Sequence, residues 1–201
     1  MLEITPVTLS TNRLLLRPLE RSDETALISA ASDGSLWEKR TTTVPRPEEM
    51  RAYIEKALSQ AAAETALPFT TVVRDGDLVV GSTRYMNIDL VNHRVEIGTT
   101  WIAQSWQRSF VNTHAKFLLL RHAFETLGCI AVELRTHSLN HQSRQAIERL
   151  GAKQDGLLRR HMIMPDGHIR APVVYSIIRG EWPLVKEELA RRLGADSLAI
   201  S

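Results

Sequence analysis

Cysteine is almost missing from this chain of 201 residues, which contains one, Cys129. A single cysteine excludes a disulfide within the chain and a zinc site built from cysteines. No apolar run approaches the roughly 18 residues that a membrane-spanning helix needs. The first ten residues also lack the basic and apolar segments of a signal peptide. We therefore expect a cytoplasmic protein with no membrane association.

The chain also has little excess charge of either sign. Lysine and arginine number 25 against 23 acidic residues, which gives a net charge of +2. This excess is too small to indicate nucleic-acid binding by itself, and the short basic runs LLRRH and LARRL are typical of solvated surface. Hydrophobic residues make up 43% and charged residues 24%, as in globular proteins. The length suits one hydrophobic core, so we expect a single domain over residues 1–201.

Hydrophobic periodicity alternates between strand and helix spacings along the chain. It predicts strands at residues 13–19, 93–102 and 129–137, a hairpin around an Asp-Gly turn within 69–89, and a second hairpin around the Pro-Asp-Gly turn at 165–167. It predicts helices at 22–32, 46–64, from the stretch after 105 to about 127, at 140–150 and at 181–193. The mixture indicates an α/β (α+β) fold with a mixed sheet of about seven strands flanked by helices.

The stretch SWQRSFVNTHAK, residues 105–116, follows a strand and begins a helix. N–H groups at a helix N-terminus carry partial positive charge and favour bound anions, so this turn is the candidate phosphate site. The glycine-rich motifs of P-loop and Rossmann nucleotide sites are absent from the sequence. Taken alone, the turn could also be an ordinary connection.

A second segment suggests a function for that turn. After the next strand, LNHQSRQAIERLGA begins a helix with Asn140 and Ser143 and ends in Leu-Gly-Ala. This order resembles the GNAT acyltransferase superfamily, and within it the RimJ/RimL-like N-acetyltransferases. The resemblance extends over most of the chain, through TNRLLLRPLERSD, VNTHAKFLLLRHAFETLG, NHQSRQAIERLGAKQDGLLRRH, MIMPDGHIRAPVVYSI and EWPLVKEEL.

The resemblance implies a GNAT-like domain with a mostly antiparallel sheet that splays between its fourth and fifth strands, where cofactor and amine meet. It implies acetyl transfer from acetyl-coenzyme A to a primary amine, on a protein N-terminus or a small molecule, by direct attack in a ternary complex and without a metal. The cofactor contacts expected from it are Trp101, Ile102, Gln107, Arg108, Ser109, Phe110, Val111, Asn112, Thr113 and Asn140.

The candidate phosphate turn departs from the family pattern, which usually has glycine where Arg108 and Phe110 stand. Glycine lets a backbone approach phosphate closely and adopt positive φ. Backbone N–H donors come from any residue except proline, and Arg108 can add a charge-assisted contact to a phosphate. In the competing interpretation Arg108 points to solvent and Phe110 fills the space that the nucleotide needs.

Two residues after the fifth strand are candidates by resemblance. Asn140 would hold the pantetheine arm of the cofactor, or it is a plain helix cap, or both. Ser143 would be the general acid for the leaving thiolate, or it is a solvent-facing serine of the first turn. A thiol pKa near ~8.5 makes the thiolate a tolerable leaving group, so Ser143 would contribute a limited factor.

Glu96 is the candidate general base, because it lies on the strand that leads into the phosphate turn. It could deprotonate the attacking amine through a water molecule. It could instead be a structural carboxylate paired with Arg94 or Arg135, and we slightly favour that interpretation.

Other chemically suggestive residues have plainer interpretations. His137 and His141 lack a third partner for a metal. Cys129 begins a buried strand and is expected to pack there. Trp101 and Trp106 flank the strand at the phosphate turn and could line the acyl or amine pocket, although packing is the favoured interpretation.

The acceptor, the oligomeric state and a second function class stay open. Protein N-termini, amino acids, polyamines and antibiotics are all candidate amines, and we expect residues 35–45 and the final hairpin to build their pocket. Leu184, Val185, Leu189 and Leu193 lie close to one helix face, which either covers the sheet or forms a homodimer surface. The alternative function is a non-catalytic coenzyme A-binding or regulatory module on the same fold.

Overall fold

A computed structural model describes residues 4–38, 43–164 and 167–194 of the chain. In these ranges the strands are β1 (Leu9–Ser10), β2 (Leu14–Pro18), β3 (Leu67–Val73), β4 (Leu78–Asp89), β5 (Arg94–Ile102), β6 (Ala131–His137), β7 (Lys153–Leu157), β8 (Met162–Ile163), β9 (Ile169–Arg170) and β10 (Pro172–Ile178). The α-helices are α1 (Glu24–Ser32), α2 (Met50–Ala62), α3 (Phe110–Arg121), α4 (His141–Glu148) and α5 (Trp182–Leu193).

Eight strands form one mixed sheet in the order β1-β2-β3-β4-β5-β6-β10-β7. Neighbouring strands are antiparallel except β5 and β6, which pair in parallel over only three positions, residues 94–96 against 131–133. Beyond Glu96 and Glu133 the two strands separate. This is the splay that was predicted between the fourth and fifth strands. Those two strands are β5 and β6 here, because the short β1 precedes them.

The predicted fold class is confirmed, while the strand count differs in detail. Sequence periodicity missed β1, which has two residues, and β7, whose side chains are mostly exposed. The second hairpin forms in part as a separate two-stranded ribbon of β8 and β9. Pro165 and Asp166, in its predicted turn, lie outside the described residues.

A β-bulge marks the place where β5 leaves β6. Ser82 pairs with Trp101 and Arg84 with Gly98, so Thr83 alone faces two residues of β5. One of the two, Thr99, has φ of 48°, which is unusual for a β-branched residue. Bulges increase local twist and interrupt pairing, so this one helps to turn the end of β5 away from β6.

The helices form a layer on each face of the sheet. The Tyr85 hydroxyl of β4 donates to the Leu119 carbonyl of α3 at 2.5 Å, while its neighbour Arg84 donates to Gln60 of α2 at 3.0 Å. Successive strand residues point to opposite faces, so α3 and α2 lie on opposite sides. As predicted, α3 is mostly buried, and it continues to residue 126 as a π-helical turn.

The apolar side of α5 is covered within the chain. Val185 and Leu189 are buried in the main hydrophobic cluster with residues of α3. Leu184 is 75% exposed, so its predicted place on the same face is wrong, because adjacent helical residues do not share a face. This face therefore gives no support to a homodimer surface, and the homodimer stays a prediction.

Two smaller comparisons complete the fold. The helix predicted to end at Leu150 ends as α4 at Glu148, and Gly151 reverses the chain there with φ of 96°. Among the residues that the structure describes, no helix has the length and hydropathy needed to span a membrane.

Candidate active site

The segment between β5 and α3, residues 103–109, is fixed at both ends, and we call it the α3 mouth. The Gln107 side-chain amide donates to the Ile102 carbonyl at 2.9 Å, which closes the segment into a loop. Asp33, at the end of α1, accepts hydrogen bonds from the backbone N–H of Ser105 at 3.1 Å and from its hydroxyl at 2.5 Å. These contacts hold the start of α3 in one geometry before any ligand arrives.

Ser109 caps helix α3 and thereby decides which N–H groups face outward. Its Oγ accepts the N–H of Val111 at 3.3 Å, and its hydroxyl donates to the Trp106 carbonyl at 2.6 Å. The first four N–H groups of a helix have no partner inside the helix. The N–H of Thr113 donates to the carbonyl of the N-cap Ser109 as the first bond of the helix. With Val111 engaged, Phe110 and Asn112 supply the remaining helical donors of the α3 mouth.

Arg108 adopts the backbone conformation of a glycine. Its φ is 60°, in the left-handed region that costs a residue with a Cβ roughly 1–2 kcal/mol. This is the position where the family pattern carries glycine. The chain therefore keeps the backbone shape of the glycine-containing turn, and it adds an exposed guanidinium beside the start of α3.

The ring of Phe110 is engaged by its own domain. Its centroid lies 6.0 Å from that of Trp106 and 5.3 Å from that of His114, and the Arg13 guanidinium carbon lies 3.7 Å above it. Arg13 and Arg108 thus bring two cations to a helix whose first turn has no acidic residue. That charge arrangement suits an anionic ligand.

Glu96 lies where the sheet begins to splay, with only 6% of its surface exposed. Its Oε2 accepts a hydrogen bond from the Asn87 side-chain amide at 2.7 Å and lies 3.5 Å from Nε of Arg135. Its Oε1 lies next to Gly98, 3.2 Å from where a Cβ on that glycine would stand. One oxygen is therefore anchored, while the other points along β5 toward the open part of the splay.

The structural interpretation of Glu96 named Arg94 or Arg135 as its partner, and the structure has Arg135 in that place. Arg94 instead pairs with Asp89 at 3.2 Å, because both flank the turn between β4 and β5. Burial raises the pKa of Glu96, against the lowering effects of Asn87 and Arg135. A carboxylate with a raised pKa is a better proton acceptor, so the structural pairing does not compete with a role as base.

A cleft of about 210 Å³ opens beside Glu96 on the face of the sheet away from α3. Charges of both signs line it: Asn87, Asp89, Arg94, Val95, Glu96, Ala131, Glu133, Arg135, Asp155 and Ser176. A hollow of about 370 Å³ between α1 and α2 is lined by polar surface residues, among them the ion pairs Arg21–Glu55 and Arg51–Glu24, with the buried Ile54 at its base. It does not include Glu96 or the α3 mouth, and we assign it no role.

Asn140 is the N-cap of α4, so the cap interpretation is confirmed. Its Oδ1 accepts the backbone N–H of Ser143 at 3.0 Å. The side-chain N–H₂ group of Asn140 is the part left to contact a ligand. Ser143 is half-buried in the first turn of α4, which packs beside β6 at the splay.

The histidines and the cysteine have structural surroundings. Nε2 of His137 lies 3.1 Å from Nε2 of His168, and Nδ1 of His137 accepts the Leu139 N–H at 3.0 Å. His141 is exposed at the start of α4. Residues 4–38, 43–164 and 167–194 contain no group of three or more His, Cys, Asp or Glu side chains placed to hold a metal. Burial raises the pKa of Cys129 to about 11, consistent with its predicted packing role.

The tryptophans pack, as the favoured interpretation expected. Trp101 is buried in a second hydrophobic cluster with α1 and α2, and its Nε1 donates to the Tyr53 hydroxyl at 3.3 Å. Trp106 is half-buried against both clusters. In the segment expected to build the acceptor pocket, residues 39–42 lie outside the described residues.

Two buried cations were not expected from the sequence. Lys116 of α3 is 6% exposed, and its Nζ donates to the Thr100 hydroxyl at 2.8 Å. Burial lowers its pKa to about 7. Arg84 of β4 is 5% exposed. The sequence held a signal for Lys116, because a lysine interrupts a helix that is apolar on most sides. It held none for Arg84, because the periodicity of its strand does not show which face is buried.

A family model described as Acetyltransferase (GNAT) domain matches residues 13–153. The chain belongs to the GNAT acetyltransferase family. The resemblance stated from the sequence is therefore confirmed, and membership makes this GNAT protein an acyltransferase. The comparisons give no support to the non-catalytic module.

Relatives of this GNAT protein match it over most of its length. It is 26% identical over 176 residues to the Uncharacterized N-acetyltransferase p20 of Bacillus licheniformis, which covers 87% of this chain and 98% of that protein. A GCN5-related N-acetyltransferase from Brucella melitensis superposes with a TM-score of 0.86 at 26% identity, over 95% of this chain and 87% of that one. Mycobacterium smegmatis RimJ, solved in complex with CoA-disulfide, has a TM-score of 0.79 at 22% identity, over 93% and 95% of the two chains, and shows the shared fold.

Proposed function

We propose that this GNAT protein transfers the acetyl group of acetyl-coenzyme A to a primary amine by direct attack in a ternary complex. The observation that carries the proposal is the splay after residues 96 and 133. Glu96 stands at its closed end, and β5 leads from there to the α3 mouth at its open end. One strand, β5, thus connects the Glu96 carboxylate to the anion site at the α3 mouth. Between them the edge of β5 is not paired with β6.

The residues present fit coenzyme A. Its diphosphate suits the N–H groups of Phe110 and Asn112, with Arg108 as a charged partner. The free edge of β5 at residues 99–102 offers backbone groups to the pantetheine arm, and the Asn140 amide offers a further donor. In the reaction the amine nitrogen bonds to the thioester carbonyl carbon, the carbon–sulfur bond breaks, and coenzyme A leaves as a thiolate.

The protein's part is to move two protons. An attacking amine must be neutral, and α-amines with pKa near ~7.8 need less help than lysine amines near ~10.4. Oε1 of Glu96 faces the splay and would accept the proton that the amine loses, directly or through water. Ser143 would deliver a proton to the thiolate from the first turn of α4.

Binding of coenzyme A is the first test. A ligand at ~100 times its dissociation constant stabilises the folded state by about 2.7 kcal/mol. We expect both coenzyme A and acetyl-coenzyme A to raise the melting temperature, with a matching heat of binding in calorimetry. Absence of both signals at millimolar coenzyme A would contradict the proposed function.

Replacing Ser143 by alanine should lower kcat roughly tenfold or less and leave the affinity for coenzyme A near wild type. The effect is limited because the thiolate is already a tolerable leaving group. Gln142→Ala, one residue earlier on the exposed side of α4, is the matched control. Equal losses in kcat and affinity would make Ser143 a binding residue, and an unchanged kcat would make it an ordinary helix residue.

Replacing Arg108 by glycine should weaken coenzyme A binding roughly tenfold, about 1.5 kcal/mol, and more strongly at low salt than at high salt. Glycine is the informative variant because it removes the guanidinium and fits the left-handed backbone, so any loss belongs to the side chain. Calorimetry at two salt concentrations measures it. An affinity equal to wild type at low salt, together with tighter binding by Phe110→Gly, would show instead that Phe110 blocks the nucleotide.

A further inference from the structure

Arg84 is a buried cation whose partners are incomplete. Its Nη1 donates to Oε1 of Gln60 at 3.0 Å, and its guanidinium carbon lies 5.1 Å from the centroid of the Tyr53 ring. Its Nε and Nη2 atoms are buried without a hydrogen-bond partner. The partners of Arg84 are thus one neutral acceptor and one aromatic ring. The planar fork of donors on a guanidinium could instead hold a carboxylate.

Leaving a guanidinium in this state is costly. Among the residues that the structure describes, no carboxylate lies within 4 Å of Arg84. Burying a charge without an opposite charge or a full set of hydrogen bonds is unfavourable, and a single amide with a cation–π contact compensates only in part. The two unpaired donors are therefore the part of the guanidinium that is free to hold an anionic partner from outside the chain.

Arg84 shares a face of the sheet with Glu96. In the regular stretch of the β4–β5 ladder, Arg84 pairs with Gly98 and Met86 pairs with Glu96. Residues at such diagonal positions have Cα atoms roughly 7–8 Å apart on the same face. Gly98, which has no side chain, is the strand residue opposite Arg84 and next to Oε1 of Glu96.

We propose that Arg84 binds the carboxylate of the acceptor, so that the substrate is an amine that also carries a carboxylate, in the manner of an amino acid. This inference rests on the proposed function, because it places the amine at Glu96 and the anion at Arg84. The paired N–H bonds of a guanidinium suit a carboxylate. A polyamine would instead bring further positive charge against Arg84.

The Tyr53 ring covers the Arg84 guanidinium and, in this proposal, moves aside for the acceptor. Its hydroxyl donates to Oγ of Ser82 at 3.3 Å and accepts from Nε1 of Trp101 at 3.3 Å. Both distances are longer than the usual range, so the ring is held weakly and can move aside. Its movement exposes the buried Nε and Nη2 of Arg84 to the acceptor.

The test compares free amino acids with their carboxamides. Glycine, L-leucine, L-methionine and L-glutamate, each beside its α-carboxamide, are measured as acceptors with acetyl-coenzyme A and as stabilising ligands in thermal denaturation. We expect the wild type to prefer the best carboxylate over its amide by roughly 30–100-fold in kcat/KM. Arg84→Met should reduce that preference to within about threefold, while the affinity for coenzyme A is unchanged.

A second variant supplies the missing anion from within the chain. Gln60→Glu places a carboxylate on the atom that already accepts from Nη1 of Arg84. It should raise the melting temperature of the free protein by a few degrees, roughly 2–4 °C, and it should weaken carboxylate acceptors more than amides. Arg51→Met, which removes an exposed arginine from the same helix, should change neither selectivity nor stability noticeably.

The outcomes separate this inference from the proposed function. Equal use of acids and amides by the wild type, or a preference that survives in Arg84→Met, overturns the inference while acetyl transfer stands. A lower melting temperature of Arg84→Met with equal losses on both acceptor types also overturns it, because Arg84 would then be structural. If none of these amines is acetylated, the proposed function is decided by the coenzyme A binding measurements, and thermal shifts by the amino acids that vanish in Arg84→Met still decide whether Arg84 binds a carboxylate.

Discussion

Replacing Glu96 by glutamine should lower kcat/KM for acetyl transfer by about 10²–10⁴-fold, the usual contribution of a general base. Glutamine keeps the size of the side chain and an oxygen for the Asn87 amide, but it cannot take up the amine proton. The rate is measured with a saturating amine over a range of pH. In the wild type, activity should fall as pH drops through the pKa of Glu96, which burial raises above its usual range. The variant should lack this fall in activity at low pH, the acid limb of the pH profile.

Glu133→Gln is the control for the Glu96 prediction. Glu133 faces Glu96 across the parallel pair and contacts Arg135 as well. Its replacement tests whether the loss of a negative charge beside Arg135 is enough to lower the rate of acetyl transfer. We expect a modest effect with the acid limb intact. A Glu96→Gln protein that keeps most of its activity would make Glu96 a structural carboxylate and leave the proton acceptor to another group.

Replacing Lys116 by methionine should stabilise the protein at neutral pH by several kcal/mol. Burial lowers the pKa of Lys116 from 10.5 to about 7, and a tenfold change in a proton-binding constant between the unfolded and folded states corresponds to ~1.36 kcal/mol. The folded state therefore binds fewer protons than the unfolded state between these values, so the wild-type free energy of unfolding should rise as pH increases from about 7 to 10.5. The variant should lack this dependence.

Urea unfolding at a series of pH values measures the Lys116 effect. Lys56→Met, the same replacement at an exposed position of α2, should keep the wild-type slope. An unchanged slope in Lys116→Met would mean that Lys116 stays charged in the folded protein. The hydrogen bond to Thr100 is the interaction that the variant sacrifices, and its net value is about 1 kcal/mol.

Local patterns in the sequence predicted the elements well, because they depend on spacing alone. The strand at 93–102, the turn and the buried helix after it appear as expected. The location of the splay came from the family resemblance, since a parallel pair only three residues long leaves no signature in either strand. The left-handed backbone of Arg108 was similarly hidden, because an arginine gives no local indication of a glycine-like turn.

Apart from the Glu96–Arg135 pair, contacts between distant segments were the part that the sequence could not predict. The Asn87 amide reaches Glu96 from a neighbouring strand, and Gln60 reaches Arg84 from a helix. Such pairs depend on register and on which face each residue occupies, and a shift of one residue reverses both.

The most direct test of the central claim is a single reaction of the wild-type protein with acetyl-coenzyme A and the amino acid panel, followed by release of the free thiol and by mass spectrometry of the amine. We expect thiol release that requires an amine, an equal amount of N-acetylated amine, and no acetyl group left on the protein when the amine is omitted. Thiol release that is independent of amine, or an acetylated protein in its absence, would contradict direct transfer in a ternary complex.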